Sequence, residues 1–246
     1  MRIQNYIPNF ITSLNLLSGS ISILFSLGGR HDVAAVLIFS AAIFDFFDGF
    51  AARALKAYSP MGKELDSLAD MVSFGVAPAV MLVYMMMRLT IFSDKLWGIE
   101  YISKDSLMLI IAPLLLVVFS GLRLAKFNID TRQTESFLGL TTTATGMFIA
   151  SFGYMVFKRD EFFLLLYNIP VILTMVVVFS ALLVSEIPMF SLKFKTFGFQ
   201  GNLKRYGLIL FALISLIFFN IGGTALTIAG YVVVSVFSLL VKKLTA

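Results

Sequence analysis

The chain has no cysteine and a single histidine, His31, among 246 residues. Disulfides, thiolate catalysis and zinc–thiolate centres are therefore excluded, as is any metal site built on clustered histidines. Charge is also scarce. Asp, Glu, Lys and Arg make up 13% of the residues, about half the share usual in a soluble domain. No internal repeat and no low-complexity linker divides the chain. The first residues, Met1-Arg-Ile-Gln-Asn-Tyr-Ile-Pro8-Asn9, lack the charged, apolar and cleavage regions of a removable signal peptide. A single membrane domain over 1–246 is the economical reading.

What fills the chain is apolar sequence. Hydrophobic residues reach 59%, and the mean hydropathy is +0.94. Repeated apolar runs of about 20 residues, each able to cross about 30 Å of hydrocarbon, predict an all-α, polytopic integral membrane bundle of about eight transmembrane helices. The expected spans are 10–28, 33–55, 66–90, 105–126, 138–157, 162–184, 205–221 and 223–242. Segment 1–9 has room for a short interfacial helix. Gly28-Gly29 and Gly222-Gly223 are read as breaks, and Ser59-Pro60 as a turn. Thirteen of the nineteen Lys and Arg residues fall on the side of the N-terminus and of the loop joining spans two and three. The positive-inside rule makes that side cytoplasmic, in a cell (inner) membrane. The net charge of +5 lies in short loops, so anionic lipid headgroups rather than nucleic acid are the expected partners.

Four carboxylates interrupt this apolar text: Asp45, Asp48, Asp66 and Asp70. A charge deep in a bilayer costs about 2.5 kcal/mol or more, so four within one short stretch call for a strong compensating partner. On a helix, Asp45, Asp48 and Ala52 are spaced i, i+3, i+7 and share one face, with Gly49 beside them. Asp66 and Asp70 form an i, i+4 pair on the next helix. The two helices run antiparallel through the turn at 54–65, which brings both pairs to a similar depth near the cytoplasmic side. Oxygen-only ligands suit Mg²⁺ or Mn²⁺. Four carboxylates suffice for two ions, an arrangement suited to phosphate-ester chemistry. Two other readings compete: plain bridges from the aspartates to Arg53, Lys56 and Lys63, and a Na⁺ or H⁺ transport site. The transport reading is weakened because no Gly or Pro interruption coincides with the aspartates.

The stretch from Asp45 to Asp70 matches the pattern D-x2-D-G-x2-A-R-x8-G-x3-D-x3-D at Asp45, Asp48, Gly49, Ala52, Arg53, Gly62, Asp66 and Asp70. In this it resembles the CDP-alcohol phosphotransferases. Glu64-Leu-Asp66-Ser-Leu-Ala-Asp70-Met-Val-Ser-Phe-Gly-Val-Ala-Pro78, Arg123-Leu-Ala-Lys-Phe-Asn128 and Ile187-Pro-Met-Phe-Ser191-Leu-Lys193 look like the phosphatidylserine synthase branch. The resemblance covers roughly residues 5–195, with its motif core over 9–130; the helices at 205–242 carry no motif. It implies transfer of a phosphatidyl group from CDP-diacylglycerol to L-serine, by an enzyme that works as a homodimer. It further implies that Asp45, Asp48 and Asp66 hold the metals, and that Asp70 shares a metal and acts as the base. Gly49, Ala52 and Arg53 would line the nucleotide site, with Gly62 shaping the loop beside it. Glycerol 3-phosphate or an inositol phosphate is the alternative acceptor.

Pro8-Asn9-Phe-Ile-Thr12 resembles the family's N-terminal element. Asn9 and Thr12 can donate to cytosine, ribose or diphosphate, and equally can cap the first helix. A serine acceptor is a zwitterion whose carboxylate needs a cation. Arg123 is the first choice, since it offers a bidentate fork that Lys does not. Asn128 and Lys126 are further candidates, although Arg123 and Lys126 also satisfy the positive-inside rule by position alone. Lys193 could meet a diphosphate or a lipid headgroup. Where this branch continues after Phe137-Leu-Gly139-Leu140 with a Pro-x-Pro element, the chain has Thr141-Thr142-Thr143. His31 is expected in a solvated loop on the far side, Trp97 and Tyr101 at the membrane interface, and Met85-Met86-Met87 as span filler.

Overall fold

The first helix, α1 (Tyr6–Leu27), shows how the chain is solvated. Its buried residues are Pro8, Thr12, Asn15, Ser18, Gly19, Ser22 and Ser26, while Phe10, Leu17, Leu24 and Leu27 face outward. A helix with small and polar residues inside and large apolar residues outside is the arrangement that lipid favours. Helices in a bilayer associate through close packing and hydrogen bonds rather than by hiding apolar surface. The computed structural model describes residues 6–91, 104–130, 138–190, 198 and 202–244.

Apart from an isolated bridge between Leu138 and Pro188, the described residues fold as helices and their connections. They run α1, α2 (His31–Ala54), α3 (Pro60–Asp70), a π-turn (Met71–Val76), α4 (Ala77–Ile91), α5 (Lys104–Ile111), a 3₁₀ turn (Ala112–Leu114) and α6 (Leu115–Ile129). Then follow α7 (Thr142–Phe157), α8 (Glu161–Leu166), α9 (Ile169–Val184), α10 (Leu203–Phe219), a second 3₁₀ turn (Asn220–Gly222) and α11 (Gly223–Leu244). Five of the resulting runs are long and apolar enough to cross a membrane: 6–27, 31–54, 60–90, 104–129 and 203–240; α7 and α9 are shorter apolar helices. The last run turns back on itself. Lys204 Nζ donates to Ser238 Oγ at 2.9 Å, and Gly223 packs on the Ser215 backbone, so α10 and α11 form an antiparallel hairpin.

Helices occupy the positions of the expected spans, with four corrections. The third starts at Pro60, not 66, because Ser59 caps it by accepting from Gly62 N at 3.0 Å and Pro60 occupies the first turn. Hydropathy alone missed that polar opening. The sixth is split at Tyr167-Asn168, where Asn168 caps α9 and Tyr167 Oη donates to Met85 O at 3.0 Å. At the final break the left-handed residue is Asn220 (φ 49°), not a glycine. Residues 6–9 are the first turn of α1, not a separate interfacial helix; residues 1–5, Trp97 and Tyr101 lie outside the described residues.

The π-turn was not expected. The Ala77 N–H donates to Val72 O, five residues back. A proline ring clashes with the carbonyl four residues before it, so Pro78 would strain a regular helix at Phe74. The wider turn relieves that clash and keeps the helix continuous.

Packing registers across this segment decide the site. On α1, Gly19 lies so close to Ser73 that a β-carbon there would stand 2.6 Å from the Ser73 Cα, and Ser73 Oγ donates to Asn15 O at 3.0 Å. On α7, Gly146 packs on Phe74 and Gly153 on Met81, a constant offset that makes α7 parallel to the 60–90 run. On α6, Ser120 meets Gly75 and Asn128 meets Ser67, which makes α6 antiparallel to it. The buried core continues from there toward the far end through Ala77, Met81, Leu82, Met85, Ile149 and Phe152.

Candidate active site

Asp45 and Asp48 stand one turn apart on α2, and Asp66 faces them from α3. One carboxylate oxygen from each of the three lies within 4.8 Å of the others. Asp48 is buried, and Asp48 Oδ2 and Asp66 Oδ1 have no protein hydrogen-bond partner. The alternative of plain interhelical bridges fails on this geometry. Arg30 pairs with Asp32 and Lys126 with Glu186, and among the described residues no ion pair joins Arg53, Lys56 or Lys63 to the four aspartates. Three converging carboxylates, two with orphaned buried oxygens and no opposing cation, fit a hard divalent ion by the chemistry of the donor set.

Asp70 stands one turn beyond Asp66, outside the group of three. Asn15 Nδ2 donates to its Oδ1 at 3.5 Å. Arg123, buried on α6, lies within electrostatic reach of Asp70 and places its guanidinium 5.2 Å from the Phe127 ring centroid. The acidic cluster therefore has three oxygens converging on one point and a fourth carboxylate one turn further along α3, which takes an amide N–H from α1.

A cavity of about 210 Å³ opens beside Asp48 and Asp66. It is lined by Asn9, Thr12, Asp48, Gly49, Ala52, Arg53, Gly62 and Asp66, with Pro8, Ala57, Tyr58, Ser59 and Lys63. Asn9, Thr12, Gly49, Ala52, Arg53 and Gly62, the residues assigned to the nucleotide from the pattern, thus meet in one space. Arg53 folds back over Gly49, where a β-carbon would stand 3.5 Å from its Nη1, and a β-carbon at Gly62 would stand 3.0 Å from Asn9 Oδ1. Both small residues keep the floor of the cavity open. Thr12 Oγ1 donates to Pro8 O at 3.0 Å, so its local helix role and its place beside Asp48 coexist. A larger apolar groove of about 650 Å³ adjoins it, sharing Asn9 and Ser59 and continuing along Tyr6, Phe10, Met61 and Leu65.

Other expected residues are placed differently. Lys126 pairs with Glu186 at 3.1 Å. Asn128 Nδ2 donates to Ser67 Oγ at 2.9 Å, and Lys63 Nζ donates to Asn128 O at 3.0 Å, so Asn128 ties α6 to α3. Lys193 lies outside the described residues. Thr141 caps α7 by accepting from Ala144 N. His31 is the reverse of a solvated loop residue. It is 6% exposed, its ring centroid lies 5.2 Å from that of Tyr84, and its Nδ1 faces Gly153. Gly29 (φ 71°) turns the chain so tightly that His31 starts α2 inside the bundle. Asn15 is the residue that sequence reading passed over. Its signal was the i, i+4, i+7 spacing with Pro8 and Thr12, which puts a polar amide on the buried face of an apolar helix.

Comparison with known proteins agrees with this geometry. A family model described as CDP-alcohol phosphatidyltransferase matches residues 5–185. A Bacillus subtilis protein named CDP-diacylglycerol–serine O-phosphatidyltransferase is 40% identical over 153 residues, which are 61% of this chain and 78% of that one. An archaetidylserine synthase of Methanothermobacter thermautotrophicus is 34% identical over 148 residues, 59% of this chain and 57% of its own length. A Helicobacter pylori CDP-diacylglycerol–serine O-phosphatidyltransferase is 30% identical over 145 residues, 58% and 54% of the two chains. The chain belongs to the CDP-alcohol phosphatidyltransferase family.

Proposed function

We propose that this CDP-alcohol phosphatidyltransferase moves a phosphatidyl group from CDP-diacylglycerol to the hydroxyl of L-serine, giving phosphatidylserine and CMP. The observation that carries the reading is the arrangement of the acidic cluster, a converging group of three with a fourth carboxylate one turn further along that is bonded by Asn15. The names of the relatives supply the substrates.

Asp45, Asp48 and Asp66 would hold divalent metal, Mg²⁺ or Mn²⁺, with Asp70 near enough to share a second ion. Bound there, the metal would supply Lewis-acid stabilisation of charge on the diphosphate. The residues of the cavity would do the rest. Asn9 and Thr12 offer polar groups to the nucleotide, Arg53 a cation to its phosphates, and Gly49 and Ala52 the room for its close approach. Asp70 Oδ takes the proton from the serine hydroxyl, whose oxygen attacks the phosphorus bonded to diacylglycerol, and CMP departs. Asn15 keeps Asp70 pointed at that hydroxyl. Arg123 receives the serine carboxylate; Lys126 and Asn128 could join it only by leaving Glu186 and Ser67. The site end of the bundle carries Arg53, Lys56, Lys63, Arg123 and Lys126, and by the positive-inside rule it faces the cytoplasm. A homodimer belongs to the same proposal.

The test is product formation by purified protein in detergent with CDP-diacylglycerol, Mn²⁺ or Mg²⁺, and labelled serine, beside tubes holding glycerol 3-phosphate or an inositol phosphate. Serine-dependent phosphatidylserine and CMP are expected, and Asp70→Asn is expected to lose turnover by about 10³-fold or more, with the fold retained. Product with another alcohol alone overturns the acceptor assignment. Turnover retained in Asp70→Asn removes the base.

A further inference from the structure

Three side chains around Asp70 hold buried polar atoms that nothing in the protein satisfies. Asn15 is fully buried and spends its amide nitrogen on Asp70, which leaves Oδ1 without a donor. Thr142 is fully buried, and its Oγ1 has no partner. Ser120 is 1% exposed, and its Oγ has none. Such groups are rare in native interiors, because a buried donor or acceptor left bare loses its hydration without replacement.

The helix registers place them together. α7 and the 60–90 run are parallel with Gly146 on Phe74, so the residues one turn earlier, Thr142 and Asp70, share a level. The bond from Asn15 puts α1 at that level from another side. α6 runs the opposite way with Ser120 against Gly75, so Ser120 lies about one turn deeper and Arg123 returns to the level of Asp70. Three helices thus bring an amide oxygen and two hydroxyls to within about one turn of the level of Asp70, with Arg123 in electrostatic reach of it.

We propose that Asn15, Thr142 and Ser120 form, with Arg123, the subsite that recognises the acceptor as an amino acid. This inference rests on the phosphatidylserine reading above. The bare Asn15 Oδ1 accepts from the acceptor's ammonium group. The Thr142 and Ser120 hydroxyls complete the hydrogen bonding of its carboxylate alongside Arg123. The fourth wall, Asp70, is left to the reacting hydroxyl. An acidic acceptor such as a sugar or glycerol phosphate finds one guanidinium and a bare carbonyl oxygen here, a poor match for a dianion. Thr142 lies in the Thr141-Thr142-Thr143 segment, at the start of α7.

The experiment measures KM for serine and KM for CDP-diacylglycerol separately in wild type, Thr142→Val, Ser120→Ala and Thr142→Ser, with serine-dependent thermal protection as a second readout. Val replaces the Thr hydroxyl by a methyl of similar size, so packing is kept. We expect the serine KM to rise about 5- to 30-fold in Thr142→Val, with kcat and the CDP-diacylglycerol KM within about two-fold, as loss of one buried hydrogen bond to a charged group predicts. Serine protection should weaken in parallel, and Thr142→Ser should restore both. An unchanged serine KM in Thr142→Val and in Ser120→Ala, with wild type active on serine, overturns the inference alone. Wild type that makes no product with serine and gains no protection from it overturns the functional reading, and this inference with it.

Discussion

The two ends of the bundle treat polar residues in opposite ways. At the far end Arg30 and Asp32 meet in a two-point pair at 3.0 and 3.1 Å, and His31 is enclosed by Tyr84 and Gly153. There the ionised groups answer one another. At the site end Asp45, Asp48 and Asp66 converge without any cation among them, while Arg53 lies over Gly49 and Lys126 is committed to Glu186. Cations are plentiful at that end, yet none is paired with these three aspartates. The difference separates a charge that holds a structure from one held in readiness for something outside the chain.

The sharpest way to break this comparison is Asp48→Asn. Activity should fall by about 10³-fold or more, whereas thermal stability in chelator should hold or rise, since one of three crowded negative charges is gone. Wild type should gain stability with added Mn²⁺, and the variant should gain less. A variant that melts lower in chelator would mean that the carboxylate was already answered within the protein. At the far end His31→Ala should do the reverse. Loss of a buried ring is expected to cost about 2–4 kcal/mol of stability, read by thermal or denaturant unfolding, with KM and kcat unchanged in the surviving fold. Smallest is Asp32→Asn, which frees Arg30 on an exposed surface. The melting temperature should move by no more than about 1–2 °C and activity by less than two-fold. A large loss of activity there would undo the division between the ends.

Much of the site was readable because helices impose it. Asp45, Asp48, Gly49 and Ala52 share a face by spacing alone, and Asp66 and Asp70 follow on the next helix. Asn9 and Thr12 reach the same cavity because α1 packs beside both. What escaped depends on long-range packing. Arg30-His31-Asp32 after Gly29 reads as a polar loop, and only the fold shows that His31 points inward. Asn15 looks like one polar residue among leucines until its partner, Asp70, arrives from the other end of the motif. Lys126 and Asn128 lie close to Arg123 in sequence, but Lys126 pairs with Glu186 and Asn128 with Ser67, and of the three Arg123 is the one in electrostatic reach of Asp70. The π-turn is invisible to hydropathy, because its residues are as apolar as their neighbours.

That turn also has a consequence for how the gene can change. A regular helix rotates about 100° per residue, so a π-turn amounts to one residue tolerated in excess. Deleting a single residue from Met71–Val76 would take out that excess and let the flanking helices keep their faces, Asp66 and Asp70 before it and Met81 and Leu82 after it. The cost would fall on Pro78, whose ring would then meet the carbonyl four residues before it. A one-codon deletion in the regular turns on either side would instead rotate everything beyond it by about 100°. Length can therefore vary in this segment more freely than elsewhere along the helix.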